Sequence, residues 1–171
     1  ECPNPLIDVA EWVLAINAWA EKSGIEDRLF ERNNGARPKP HNMIRIAVSG
    51  CPNGCARHQL ADIGLSGAVR PEADPSTCRE CQACEEICPD HAVTADNAPP
   101  LFDRSACQGC TKCHDICPAG SIYLTEPFVR VQAGGKLGRR PMLGKKIIEL
   151  SSPSELSPVL DRLVEGFIRE A

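Results

Sequence analysis

A repeated cysteine run constrains this chain more than any other feature of its sequence. The pattern C-x2-C-x2-C-x3-C-P occurs twice, and its second copy starts 29 residues after the first; the cysteines are Cys78, Cys81, Cys84 and Cys88, then Cys107, Cys110, Cys113 and Cys117. Proline after the last cysteine of each copy fits a chain that turns away sharply at that point. Eleven cysteines in 171 residues are several times average usage. Cysteine chemistry must therefore account for much of what this chain does.

This run resembles that of the bacterial two-cluster ferredoxins. Three thiolates spaced by two residues can each hold one corner of a [4Fe-4S] cubane, whereas the fourth lies on a short following helix and points at the neighbouring cluster. The resemblance and the spacing together predict ligation that crosses between the two copies. One predicted cluster takes Cys78, Cys81, Cys84 and Cys117, and the other takes Cys107, Cys110, Cys113 and Cys88.

Zinc, disulfide bonds and inert thiols are the alternative roles for these cysteines. Structural zinc also binds C-x2-C pairs, but it takes four ligands in two pairs and does not need a third cysteine and a fourth before proline. Disulfide bonds are disfavoured by the odd number of cysteines and by a sequence in which we find no export signal. Inert thiols at this repeated spacing would be a coincidence.

The segment that carries the two runs is acidic. From Pro71 to Pro118 it has nine acidic residues and three basic ones, Arg79, Arg104 and Lys112. Complementary charge steers the encounter of two proteins more than it sets their affinity, so this acidic face is a predicted docking surface for a basic redox partner protein. A solvated acidic face without a partner is the alternative. The net charge of −4 gives no reason to expect nucleic acid.

A different cysteine motif lies upstream of the repeat. A strand-like stretch at residues 44–48 leads into SGCPNGCAR at residues 49–57, where Pro-Asn-Gly favours a tight turn that presents Cys51 and Cys55. Two thiolates do not complete a metal site. The spacing alone leaves open whether these cysteines are ligands or buried thiols.

This stretch resembles the sirohaem-containing sulfite and nitrite reductases. In that family a C-x3-C motif supplies half the ligands of a further [4Fe-4S] cluster, and its last cysteine bridges the cluster to the sirohaem iron, a role that the resemblance implies for Cys55. The other half comes from an earlier C-x5-C motif, whose second cysteine matches Cys2. We expect the first cysteine of that motif to precede Glu1. Cys2 as an ordinary thiol is the alternative.

A glycine-rich basic turn, GGKLGRRP at residues 134–141, extends the resemblance, because the same family has such a turn near the sirohaem. The resemblance implies that Lys136, Arg139 and Arg140, with Arg57, contact the carboxylates of sirohaem. An anionic partner or a solvated basic loop is the alternative. Nucleic acid is disfavoured because no aromatic residues interleave with these charges.

Hydrophobic periodicity predicts an α+β protein with two lobes. A discontinuous lobe of the sirohaem-reductase type comprises residues 1–70 and 126–171, and a two-cluster ferredoxin domain occupies residues 71–125. The first lobe has predicted helices from Leu6 to Gly24, over 25–32 and over 156–167, the last capped by Ser157, and predicted strands over 44–48, 62–69, 128–132 and 146–150. The ferredoxin domain has short strands over 92–94 and 121–124 and depends on its clusters for folding. Trp12 and Trp19 are predicted core residues, and His41, His58, His91 and His114 are predicted surface residues.

These features predict the iron–sulfur portion of a sirohaem sulfite or nitrite reductase, in which two ferredoxin-type clusters pass electrons to a third cluster and sirohaem. The resemblance implies a six-electron reduction of sulfite to sulfide or of nitrite to ammonia. The alternatives are a stand-alone two-cluster electron carrier and a structural or regulatory iron–sulfur protein. We expect the intact protein to be an oxidoreductase and this portion alone to be inactive. No apolar run approaches the ~18 residues of a membrane-spanning helix, and we expect a cytoplasmic protein.

Overall fold

The computed structural model describes residues 2, 4–96 and 98–169. The strands are β1 (Ile46–Ser49), β2 (Ile63–Ala68), β3 (Pro71–Ala73), β4 (Val93–Thr94), β5 (Leu101–Phe102), β6 (Ile122–Leu124), β7 (Phe128–Ala133) and β8 (Lys145–Leu150). The helices are α1 (Val9–Ser23), α2 (Ile25–Arg32), α3 (Ala83–Glu86), α4 (Lys112–Ile116) and α5 (Leu156–Arg169). Three single 3-10 turns lie at Pro40–Asn42, His58–Leu60 and Pro153–Glu155. The predicted α+β class is confirmed.

The main sheet has the strand order β1-β2-β7-β8. β1 and β2 are parallel, whereas β7 pairs antiparallel with both β2 and β8. Every residue of β2 is buried. The core combines Leu65 and Val131 of the sheet with Trp12 and Trp19 of α1 and with Leu160 of α5, so the prediction that both tryptophans belong to the core is confirmed.

Local sequence sets the ends of the long helices. The carboxylate of Asp8 accepts hydrogen bonds from the first backbone N–H groups of α1, so Leu6 lies before the helix, and Gly24 ends it in the left-handed region with φ 61°. The prediction that Ser157 caps α5 is wrong. Ser152 forms a capping box with Glu155 on the preceding 3-10 turn, and Ser157 lies one residue inside the helix.

Two small sheets join the halves of the cysteine repeat. β3, before the first run, pairs antiparallel with β6, after the second run. β4, after the first run, pairs antiparallel with β5, before the second. Each sheet therefore takes one strand from each copy of the repeat. The predicted short strands over 92–94 and 121–124 are confirmed as β4 and β6, and the division into domains at residues 70 and 126 stays a prediction.

Within the part of the chain that the structure describes, no helix is long and apolar enough to cross a membrane.

Candidate functional site

The 29-residue repeat of the sequence recurs in the hydrogen bonds before each cysteine run. Asp74 Oδ1 accepts from the backbone N of Ser76 at 2.8 Å and from its hydroxyl at 2.7 Å. Asp103, 29 residues later, accepts the same two bonds from Ser105 at 2.8 and 2.6 Å. The bonds from the serine side chains and amides lower the pKa of both carboxyl groups. The two runs thus begin from equivalent turns.

The repeat also recurs in three left-handed residues. Glu80, Gln82 and His91 have φ values of 53°, 59° and 49°, and the residues 29 positions later, Gly109, Thr111 and Gly120, have 73°, 72° and 64°. A left-handed non-glycine residue costs about 1–2 kcal/mol. Such strain clusters at ligand-binding loops, where the surrounding structure holds it in place. The two cysteine loops therefore share one backbone conformation, and four of its six left-handed positions are not glycine.

One cavity gathers the first predicted set of ligands. It is lined by Cys78, Cys81, Cys84 and Cys117, so three cysteines of the first copy meet the last cysteine of the second. Ala95, Pro100, Ala119 and Ile122 supply much of the remaining wall. The wall between the thiols is therefore largely apolar.

Another cavity gathers the second predicted set. It is lined by Cys88, Cys107, Cys110 and Cys113, together with Pro71, Pro89 and Val93. Each of the two cavities therefore combines three cysteines of one copy with the last cysteine of the other copy. Sets of four soft thiolate donors are the usual ligands of a [4Fe-4S] cluster, so the residues present fit that group.

The thiols line cavities rather than converging on single points. Among residues 2, 4–96 and 98–169, no group of three or more His, Cys, Asp or Glu side chains is close enough together to hold one metal ion. Zinc needs its four ligands at about 2–2.3 Å from one ion, whereas a cubane holds its thiolates at separate corners.

Burial keeps several of these thiols protonated when no metal binds them. Burial, with the nearby Cys107, raises the pKa of Cys113 to about 12. Burial also raises the pKa of Cys84 and Cys107. Because metals bind thiolates, inserting a cluster must displace protons from these side chains.

The last cysteine of each run accepts backbone hydrogen bonds. Burial raises the pKa of Cys117, but the amides of Ile122, Ser121 and Ala119 outweigh it and bring the pKa below its usual value. The amide of Ala92 donates to Cys88 Sγ at 3.3 Å. Hydrogen bonds to cluster sulfur are one of the means by which a protein sets the potential of a cluster.

The C-x3-C turn follows β1 and meets the N-terminal segment. The Leu6 N–H donates to the Gly50 carbonyl oxygen at 2.8 Å, which brings the segment after Cys2 against the turn. A further cavity is lined by Cys51 and by Cys110, together with Asn4, Pro5, Leu6, Thr111 and Lys112. Cys51 therefore lies beside the second cysteine set, whereas Cys2 and Cys55 are exposed.

The predicted sirohaem-binding cations lie on one exposed loop and one turn. Lys136, Arg139 and Arg140 are exposed between β7 and β8, and Arg57 is exposed with φ 53°. The Gly144 N–H donates to the Gln59 carbonyl oxygen at 2.8 Å. The base of the basic loop therefore meets the segment that follows Cys55 and Arg57.

One histidine differs from its prediction. His58 is 2% exposed, and its Nδ1 lies 2.9 Å from Ser49 Oγ, so the prediction that it is a surface residue is wrong. Burial, and to a lesser degree Arg130, lower its pKa. The neutral imidazole ties the end of the C-x3-C segment to the last residue of β1. His91 and His114 are exposed as predicted, and the side chain of His41 lies outside the described part of the structure.

Sequence reasoning also missed Arg130. This residue of β7 is 8% exposed, and its Nη2 donates to the Cys107 carbonyl oxygen at 3.4 Å. Its signal in the sequence is an arginine between valines in an otherwise apolar strand pattern. A buried cation thus touches the loop of the second cysteine set.

Comparison with known proteins gives relatives among sulfite reductases. The chain is 39% identical to the coenzyme F420-dependent sulfite reductase of Methanocaldococcus jannaschii over 80% of the chain and 22% of that protein. It is 30% identical to an uncharacterised protein of the same organism, over 90% of the chain and 53% of the relative. One component of the anaerobic sulfite reductase of Salmonella typhimurium is 38% identical over 33% of the chain and 16% of that component. The chain thus spans about a fifth to a half of the first two relatives.

The fold has a solved counterpart. The crystal structure of dissimilatory sulfite reductase I matches 84% of this chain and 41% of the reductase chain, with a TM-score of 0.51 and 17% sequence identity. This likeness shows a shared fold. The model of the nitrite and sulphite reductase 4Fe-4S domain matches residues 1–171. The chain therefore belongs to the nitrite and sulphite reductase 4Fe-4S domain family.

Proposed function

We propose that this chain is the electron-transfer portion of a sirohaem sulfite reductase and binds two [4Fe-4S] clusters within its cysteine repeat. The observation that carries the proposal is the grouping of the eight repeat cysteines into two cavities, each with three cysteines of one copy and one of the other. This grouping is the one that crossed ligation requires. When bound, the clusters would accept and pass single electrons.

A shared cavity supports the order of sites that we propose. Cys110 of the second set and Cys51 of the C-x3-C turn line the same space. We place the second set next to a third cluster held by Cys51, Cys55 and Cys2, and the first set farther along the path. Cys2 lies four positions before Leu6, whose N–H contacts Gly50, so the chain keeps Cys2 within about 14 Å of Leu6 and hence near the turn. Electrons would therefore enter at the first set and leave from the second.

Cys55, Arg57 and the basic loop form the proposed sirohaem end. The exposed thiol of Cys55 is free to bridge to the sirohaem iron, and the exposed side chains of Lys136, Arg139 and Arg140 are free to pair with its carboxylates. When bound, sirohaem would supply the iron at which the substrate takes up electrons. The five basic residues from Lys136 to Lys146, with no acid among them, suit a polyanion.

Sulfite is the proposed substrate of the intact protein, because two relatives are named as sulfite reductases; nitrite is the second choice. The acidic face of residues 71–118 is the proposed docking surface for a basic electron donor protein. All eleven cysteines are free thiols, which suits a reducing compartment such as the cytoplasm. We also propose that residues 71–125 form a ferredoxin domain inserted between residues 1–70 and 126–171.

An electron carrier without catalysis is the second candidate function. The three cysteines outside the repeat, Cys2, Cys51 and Cys55, do not make a set of four. The repeat, by contrast, supplies two sets of four cysteines, which suffices for electron transfer without a sirohaem end.

Iron and acid-labile sulfide assays and a visible spectrum, on protein prepared without oxygen, test the proposal. Two repeat clusters give about eight iron atoms per chain, and sirohaem adds its own absorption bands. Cys55→Ser should remove the sirohaem coupling and leave the signals of the repeat clusters, whereas Cys113→Ser should remove the signal of the second repeat cluster. Sirohaem bands absent from the intact protein would favour the carrier. Absence of iron and sulfide after reconstitution would refute both functions.

A further inference from the structure

Charge breaks the symmetry of the repeat directly after the third cysteine of each run. Glu85 follows Cys84, and His114, 29 residues later, follows Cys113. The Glu85 carboxylate accepts a hydrogen bond from the Ala95 N–H at 2.9 Å, and Ala95 lines the first cavity. The first set therefore has an anion where the second has an imidazole.

A buried cation lies against the second set and has no counterpart at the first among the described residues. Arg130 Nη1 donates to the carbonyl oxygen and to the side-chain oxygen of Gln108 at 3.4 and 3.3 Å, while Nη2 donates to the Cys107 carbonyl oxygen at 3.4 Å. Arg130 is 8% exposed. Arg79, which lines the first cavity, is exposed and lies next to Glu80. Water screens an exposed charge far more than a buried one.

The counter-ion of Arg130 is shared. Glu149 lies 3.6 Å from Arg130 Nη2 and also pairs with Arg70 and Lys146. The single negative charge of Glu149 thus faces three positive charges and cannot neutralise all of them. The buried Nε of Arg130 has no hydrogen-bond partner among the described residues.

We propose that Arg130 and Glu85 set the two clusters apart in reduction potential, with the higher potential at Cys88, Cys107, Cys110 and Cys113. The proposal rests on the two-cluster function proposed above. A cluster gains one negative charge on reduction, so a nearby buried cation stabilises its reduced form and a nearby anion destabilises it.

The bias gives the pair of clusters a direction. One electron, supplied by a one-electron donor protein, leaves the reduced cluster of the first set, which returns to its oxidised state. The same electron reduces the oxidised cluster of the second set, and no proton moves and no bond breaks. The second set is the one whose Cys110 shares a cavity with Cys51. The charges therefore favour electron flow toward the C-x3-C turn.

Redox titration of the full chain with dithionite, followed by electron paramagnetic resonance, tests the proposal. Arg130→Met should lower the higher of the two potentials and leave the lower one in place, and Glu85→Gln should raise the lower one. Each change should alter the electron-sharing equilibrium at least tenfold, which for one electron is about 59 mV. Glu149→Gln keeps Arg130 and removes its counter-ion, so it should raise the higher potential even if Arg130→Met does not fold.

Two controls keep the result specific. Arg130→Lys retains the positive charge, so its higher reduction potential should stay close to that of the wild type. Arg104 donates to the Pro71 carbonyl oxygen at 2.9 Å but its side chain is 47% exposed, so Arg104→Met should change the equilibrium far less than tenfold. Equal shifts of both potentials, no shift in any variant, or an equal effect of Arg104→Met would overturn the inference while the two-cluster function stands. Failure to find two clusters would overturn both.

Discussion

Gly109 joins the loop of the second cysteine set to the main sheet. It has φ 73°, its carbonyl oxygen accepts from the Val69 N–H at 3.3 Å, and a Cβ built on it would lie 2.4 Å from the Val69 carbonyl oxygen and 3.0 Å from Ala68 Cβ. Gly120 also has a left-handed conformation, with φ 64°, but a Cβ there would meet nothing within 4 Å. The two glycines therefore share backbone strain and differ in contact.

Alanine at both positions separates these effects. Gly120→Ala should destabilise the protein by about 1–2 kcal/mol, the cost of a left-handed alanine. Gly109→Ala has the same cost and must also move backbone against backbone, which adds about 1–3 kcal/mol. In a domain of this size each kcal/mol lowers the melting temperature by about 2–4 °C. Gly109→Ala should thus melt several degrees below Gly120→Ala.

The second cluster should report the same difference. Because the Gly109 loop carries Cys107 and Cys110, moving it away from Val69 should lower cluster content at the second set and spare the first. Melting curves, iron content and electron paramagnetic resonance of both variants measure this. Equal melting temperatures and equal iron content for the two variants would refute the argument that close approach, rather than backbone conformation, fixes this loop.

Three further predictions follow from the remaining contacts. Ser152→Ala should cost about 1 kcal/mol by removing the capping box, whereas Ser157→Ala should cost little, as chemical denaturation of both variants will measure. The pKa of His58 is lower in the folded protein than in the unfolded chain, so the unfolded chain binds more protons at acidic pH. The free energy of unfolding should therefore fall as the pH drops below about 6.5. The urea midpoints of wild type and His58→Gln should converge on acidification, and midpoints that diverge would contradict this expectation. Salt screens the attraction between the acidic face and a basic donor protein, so reduction of the chain by such a donor should slow as the salt concentration increases. Stopped-flow rates that do not depend on ionic strength would exclude a docking role for the acidic face.

Much of this structure could be predicted from local sequence. The apolar periodicity of α1 and α5 and the short strands after each Cys-Pro pair are local patterns, and the structure contains all of them. The grouping of Cys117 with Cys78 could be predicted because the run resembles that of the two-cluster ferredoxins, in which the fourth cysteine belongs to the other cluster. The capping residue before α5 could not be predicted, because Ser152 and Ser157 are both acceptable capping residues. Only the 3-10 turn that begins at Pro153 decides between them.

The residues that sequence analysis missed have partners far away in the chain. His58 is buried because the imidazole meets Ser49 across the C-x3-C turn, and Arg130 is buried because β7 runs beneath the loop of Cys107. The apolar pattern of β7 makes Arg130 unusual, but nothing local to either residue identifies its distant partner, since charged and hydrogen-bonding side chains are also common on surfaces. Only the packing of the cysteine loops on the main sheet makes these two side chains part of the site.

The two copies of the repeat exchange strands and cavity-lining cysteines, so neither copy forms its sheets or its cavity alone. β3 and β6 come from opposite ends of the segment, and so do Cys78 and Cys117, which line one cavity. Closing so long a loop has an entropic cost that a small sheet with little core offsets only in part. Cluster binding would supply the rest of the stabilisation. The same exchange brings the loop of the second set against β7, where the buried Arg130 would act on one proposed cluster and not on the other. Crossed topology would thus let a nearly symmetric sequence hold the two unequal clusters that we propose.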